Sequence, residues 1–169
     1  CNPKTFNHLY CFHYLNFEQS SYFHNMKNTK PSSVKFIIEP LDDTGCHIFL
    51  NLKVNGKRCR FLIDTGASHS VIDKSYFEKQ SGKKKLETVK QSTTGLHSST
   101  DESHFGKLKE IVIGKLVIKH YHVAAIDLAH VNLTYSSIKK PKIHGILGSD
   151  ILLKYKMIVD YGNEKIFIP

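Results

Sequence analysis

The chain has 169 residues, 40% hydrophobic and 23% charged, with 24 Lys and Arg against 15 Asp and Glu and a formal charge of +9. That length suits one globular domain with a sizeable core plus an extension, and no apolar run approaches the ~18–20 residues of a transmembrane helix, which excludes one. The basic excess could attract nucleic acid, but its residues are dispersed. The one run, Lys83-Lys84-Lys85, follows Ser81-Gly82 with no RNA-binding aromatic motif, zinc pattern or helix-turn-helix beside it, which argues against a nucleic-acid partner.

Residues 1–33 are crowded with Asn, Phe, Tyr, His and Ser and lack helical or strand periodicity, so they read as a poorly ordered N-terminal extension. They are not a secretory signal, because His, Asn and Glu18 interrupt the apolar residues and no small-residue cleavage site follows. Met26 opens a segment of different character and could be the true start. Four cysteines, Cys1, Cys11, Cys46 and Cys59, form no C-x-x-C pair and read as reduced thiols, which with the missing signal implies an intracellular, cytoplasmic setting. Of eleven histidines, His120 and His122 are the closest pair and no third ligand stands at a motif-like spacing, so no metal or other cofactor is expected.

From Val34 the text changes to short apolar runs punctuated by turns, the signature of an all-β domain over residues 34–169. Val34 to Ile38 is the first run. His47 to Val54 alternates, with Ile48, Leu50, Leu52 and Val54 on a buried face and His47, Phe49, Asn51 and Lys53 on an exposed one. Asn55-Gly56 supplies the two positive-φ residues of a type I′ hairpin turn, and Lys57 to Ile63 returns with Cys59, Phe61 and Ile63 inward. After Val71-Ile72, Asp73 to Gln80 reads as a short helix capped by Asp73. The polar residues from Ser81 to Gly95 form loops or a projecting hairpin. Leu108 to Ile113, Leu116 to Ile126, Met157 to Asp160 and Lys165 to Ile168 complete the strands.

The run Phe61-Leu62-Ile63-Asp64-Thr65-Gly66-Ala67-Ser68 places a carboxylate at the end of an apolar strand, partly desolvated, in a turn where Gly66 lets backbone approach closely. Asp-Thr-Gly alone is ordinary turn chemistry. Indeed Asp43-Thr44-Gly45 repeats it, after Glu39-Pro40-Leu41-Asp42 instead of an apolar strand, and reads as a turn.

The fuller pattern at Asp64, followed by Val71-Ile72, resembles the active-site signature of retropepsin-like aspartic proteases, the single-lobe retroviral and bacterial group. Ile143-His144-Gly145-Ile146-Leu147-Gly148-Ser149-Asp150-Ile151-Leu152 resembles the second landmark of that family, an apolar-apolar-Gly element leading into a short helix. The resemblance implies a closed β-barrel lobe with one or two short helices in a two-fold homodimer, hydrolysing peptide or protein substrates. Hydrolysis without a covalent nucleophile needs one carboxylate to activate water and another to protonate the carbonyl; one chain supplies only Asp64. Two like carboxylates held close share a proton and so provide base and acid together.

The resemblance further implies that Thr65 braces the dimer, that Gly66 orients the carboxylate, and that Ala67 and Ser68 complete the loop. Ile146, Leu147 and Gly148 would stand near the site as structural residues, and Thr94, Gly95 and Leu96 would belong to a flap over substrate. Ala67 points to activity nearer neutral pH. Gly148-Ser149-Asp150 also reads as a turn with a helix N-cap, which gives Asp150 a structural role. The alternative is a catalytically silent dimerisation or peptide-binding module, against which the intact Asp64-Thr65-Gly66 argues.

Overall fold

The computed structural model describes residues 31–41, 44–81, 86–90 and 102–169, so the expected extension lies outside the described residues up to position 30. In chain order the elements are β1 (Ser32–Lys35), β2 (Ile37–Pro40), β3 (Cys46–Val54), β4 (Lys57–Ile63), β5 (Val71–Asp73), α1 (Lys74–Ser81), β6 (Leu86–Lys90) and β7 (Glu102–Ile113). There follow β8 (Leu116–Ile126), α2 (Ala129–Ser137), β9 (Gly145–Leu147), α3 (Ser149–Lys154), β10 (Ile158–Asp160) and β11 (Lys165–Ile168). None of the described helices is long and apolar enough to cross a membrane.

Six strands close on themselves in the order β3-β4-β9-β5-β8-β7, and the ring is completed where Lys53 and Val54 of β3 pair with Val112 and Ile111 of β7. β2 and β6 add to this ring outside β3 and β7, and β1-β11-β10 forms a separate three-stranded sheet. The β3–β4 hairpin forms as its sequence dictates: Asn55 and Gly56 sit at φ 49° and 80°, the left-handed pair that a type I′ turn needs. Inward residues of that hairpin, Leu50, Leu52, Val54, Cys59, Phe61 and Ile63, are all buried in the barrel. Each large apolar side chain buried this way contributes roughly 1.5–3 kcal/mol. Asp73 caps α1 as expected: its Oδ1 accepts from the Tyr76 N–H at 2.7 Å.

The structure departs from the sequence reading in two places. There are three described helices where one or two were expected, the additional one being α2. α2 packs on the outside of the barrel, so Phe49, expected on the exposed face of β3, is 1% exposed in a second cluster with Leu128, Tyr135 and Ile143. Leu128, Val131 and Tyr135 stand at i, i+3 and i+7, the helical spacing that announces this element. β8, expected as a strand, changes phase along its length. Leu116 and Ile118 point inward, but the inward set then changes phase to Val123 and Ala125 with Tyr121 partly buried before them. The change falls at His120, whose φ is 54°, and it turns Tyr121 toward the interior.

Candidate active site

Asp64 follows the last residue of β4, a central strand of the barrel. β4 runs parallel to β9, with Leu62 opposite Ile146 and Ile63 opposite Leu147, while the far side of β9 pairs antiparallel with β5. The Asp64 N–H continues the ladder by donating to the Leu147 carbonyl at 3.1 Å. The carboxylate therefore emerges where two crossing connections, 64–70 and 148–150, meet at the end of the same two strands.

Within the first connection the Gly66 N–H donates to Asp64 Oδ1 at 2.9 Å, and the Ala67 N–H to the Asp64 carbonyl at 3.2 Å. A Cβ on Gly66 would stand 3.2 Å from that same Oδ1, so glycine leaves the carboxylate room in this orientation. Thr65, Gly66 and Ser68 are exposed and Ala67 is half-buried. Ser68 Oγ and His69 Nδ1 are 3.0 Å apart on the exposed side of the loop.

The second connection is bonded to the first along its length. Ser149 donates from its N–H to the Ala67 carbonyl at 2.8 Å and from its Oγ to the Thr65 carbonyl at 2.7 Å. The Gly148 N–H donates to Ser70 Oγ at 2.9 Å. No side chain fits at Gly148, because a Cβ there would lie 2.7 Å from the His69 carbonyl carbon and 2.9 Å from the Ala67 carbonyl oxygen. Leu147 thus bonds Asp64 directly, Gly148 bonds the end of its loop, and Ile146 pairs with Leu62 one strand position away. Thr94, Gly95 and Leu96 lie outside the described residues; β6 and β7, which flank them, pair antiparallel from Leu86–Gly106 to Lys90–Glu102, where loops or a projecting hairpin were expected.

Asp150 is structural, but not as an N-cap. Gly148 occupies the N-cap position of α3 without a side-chain cap, and Asp150 lies in the first turn. Its Oδ1 accepts from the Ser70 N–H at 2.9 Å and from Ser70 Oγ at 2.7 Å, and its Oδ2 accepts from the Tyr121 hydroxyl. Burial, reinforced by that hydrogen bond to Asp150, pushes the Tyr121 hydroxyl far above its ordinary range, so it remains a donor. Ser70 and Tyr121 were not singled out from the sequence. Strand alternation carried through His120 would have turned Tyr121 outward.

A separate polar cluster lies on the β2 side of the barrel. Glu39 accepts from Arg60 Nη2 at 3.0 Å and from Lys140 Nζ at 2.8 Å, and the lysine foremost, with the arginine, holds its carboxyl below the ordinary range. Neither of these two ion pairs involves Asp64. Among the described residues no group of three or more His, Cys, Asp or Glu is arranged to hold a metal ion.

A family model described as aspartyl protease matches residues 50–151. The chain belongs to the aspartyl protease family. The matched stretch runs from β3 into α3 and so contains both connections at Asp64. Among solved structures, the fold is similar to that of a retropepsin-like aspartic protease from Rickettsia conorii, at 20% identity and a TM-score of 0.55 over 83% of this chain and 92% of that one. Lower scores relate it to the retroviral protease-like domain of Ddi1 from Leishmania major (15% identity, TM-score 0.45, 72% and 93% covered) and to the EIAV protease complexed with the inhibitor HBY-793 (18%, 0.42, 68% and 92%). Comparison with curated proteins gives no match. The barrel of this chain is accordingly retropepsin-like in fold.

Proposed function

We propose that the chain is an aspartic endopeptidase whose catalytic carboxylate is Asp64, working as a homodimer in which the mate's Asp64 completes the site. The observation that carries this reading is the setting of the carboxylate: it stands at the end of a buried strand, is oriented by the Gly66 N–H at 2.9 Å, and takes no part in the ion pairs at Glu39. A carboxylate held in place but not neutralised by a cation is free to exchange a proton with water or substrate.

In the dimer one carboxylate of the pair is ionised and the other protonated. The ionised one takes a proton from the attacking water as its oxygen bonds to the peptide carbonyl carbon, and the protonated one gives its proton to the carbonyl oxygen. The resulting gem-diol collapses as the carboxyl that took the water's proton gives it to the nitrogen, the C–N bond breaks, and a gem-diol hydroxyl returns its proton to the other carboxylate. Thr65 and Gly66 support the loops at the two-fold axis, and the segment between β6 and β7, with Thr94, Gly95 and Leu96, covers substrate.

Leu153, Ile158 and Phe167, 79%, 59% and 39% exposed, offer apolar surface for the second copy, and Ile158 and Phe167 are cross-strand neighbours. Residues 34–169 constitute the protease domain in this reading. Digestion of a mixed peptide library by the full chain, with light scattering on the same sample, tests it. We expect a dimer and cleavage that Asp64→Asn abolishes; cleavage unchanged in that variant would sink the assignment.

A further inference from the structure

We propose that Tyr121 and Asp150 are positioning residues for the Asp64 carboxylate, holding the 64–70 loop in its working orientation through Ser70 and Gly148. The inference rests on the reading of Asp64 as the catalytic acid and assigns it a support that starts on the other side of the barrel, in β8.

The chain of bonds has a fixed direction. An ionised carboxylate only accepts hydrogen bonds, and Asp150 accepts three: from the Ser70 N–H at 2.9 Å, from Ser70 Oγ at 2.7 Å and from the Tyr121 hydroxyl. Ser70 has one hydroxyl proton. Once it is given to Asp150, only lone pairs remain on Ser70 Oγ, and these receive the Gly148 N–H at 2.9 Å. Gly148 is the residue whose missing side chain lets the two connections touch at His69 and Ala67. The next residue, Ser149, ties Ala67 and Thr65, and the preceding one, Leu147, receives the Asp64 N–H. Every link between Tyr121 and the Asp64 backbone is thus a named bond.

A first-turn acid on α3 would suffice for the helix dipole alone. That role does not account for the use of both Asp150 oxygens on other elements, nor for the left-handed backbone at His120 that turns Tyr121 inward. Ser70, at the centre of the network, is 3% exposed, so a partner lost there leaves a buried polar group unsatisfied.

The test uses the full chain and the variants Tyr121→Phe, Asp150→Asn and Asp150→Ala, with Tyr161→Phe on the exposed surface as control. Two readouts are taken: kcat and KM on a cleaved peptide, and hydrogen exchange of the Ser70 and Gly148 amides, which needs no activity. Since small misplacements of a reacting group cost up to about 100-fold, Tyr121→Phe should lower kcat roughly 10-fold with KM within about two-fold, and Asp150→Ala about 100-fold. Asp150→Asn should recover part of that loss, because its amide oxygen still accepts from Ser70. Exchange at Ser70 and Gly148 should quicken in Tyr121→Phe and not in Tyr161→Phe.

Wild-type kcat and unchanged exchange in Tyr121→Phe would overturn the proposal, as would Asp150→Asn performing no better than Asp150→Ala. If Asp150→Ala does not fold, Tyr121→Phe and Asp150→Asn decide alone. If the wild type cleaves nothing, or Asp64→Asn cleaves as well as wild type, the protease reading fails. The exchange data then still judge the loop: faster exchange in Tyr121→Phe supports the brace, and unchanged exchange removes it.

Discussion

Asp-Thr-Gly occurs twice in this chain, and the two occurrences meet different surroundings. Thr44 and Gly45 of the first stand in the connection between β2 and β3, which are antiparallel neighbours; the Leu41 N–H donates to the Gly45 carbonyl at 2.9 Å, and Pro40 is paired with Cys46. Asp43 itself lies outside the described residues. Both of these bonds lie within its own hairpin. The second occurrence leaves a central strand and is held by residues about 80 positions away, Leu147 to Asp150, with Asp150 in turn held from β8. A tripeptide becomes a candidate site when distant chain fixes its carboxylate, not by its own letters.

The largest contrast should come from the carboxylates. Asp64→Asn is expected to lower peptide cleavage by about 10³-fold or more, in the range of a lost general acid–base group, while Asp43→Asn leaves it within about two-fold, both measured as kcat/KM. Equal losses in the two variants would erase the distinction.

Next in size is Gly148→Ala. Its Cβ would press on the His69 and Ala67 backbone, at 2.7 Å and 2.9 Å, and overpacking of this kind costs roughly 1–3 kcal/mol. Denaturant melting measures that cost, and activity should fall with it because the displaced backbone belongs to the Asp64 loop. His120→Val should cost about 1–2 kcal/mol, since a β-branched residue resists the left-handed backbone that His120 adopts at φ 54°. His120→Gly should stay within about 0.5 kcal/mol, the relief of strain offsetting the added chain entropy.

The smallest effect belongs to the other side of the comparison. Glu39→Gln, next to the first Asp-Thr-Gly, should cost on the order of 1 kcal/mol at neutral pH and leave kcat unchanged. The sign with pH follows from the lowered carboxyl of Glu39. Below the ordinary carboxyl value of 4.5 the unfolded chain takes up the proton first, so the stabilisation is complete above that pH and disappears as pH falls through the lower folded value. Thermal melts of wild type and variant should therefore converge in acid.

Much of the barrel was legible because its signals are local. The β3–β4 hairpin follows from alternation plus Asn55-Gly56, and α1 follows from Asp73 ahead of its first turn. α2 was equally legible in principle, through Leu128, Val131 and Tyr135, and its omission led to Phe49 being placed on an open face. Tyr121 was not legible, since a period-2 reading cannot see a backbone that changes phase at His120.

By itself, the sequence determined the β class, the main hairpin and the residue at the centre of the candidate site, because strand alternation, turn chemistry and a strand-end Asp-Thr-Gly-Ala-Ser depend on near neighbours. The tertiary structure decided what holds that residue. Ser70, Tyr121 and Asp150 are scattered along the chain, and only the closing of β4, β9, β5 and β8 into one barrel brings their hydrogen-bonding groups together.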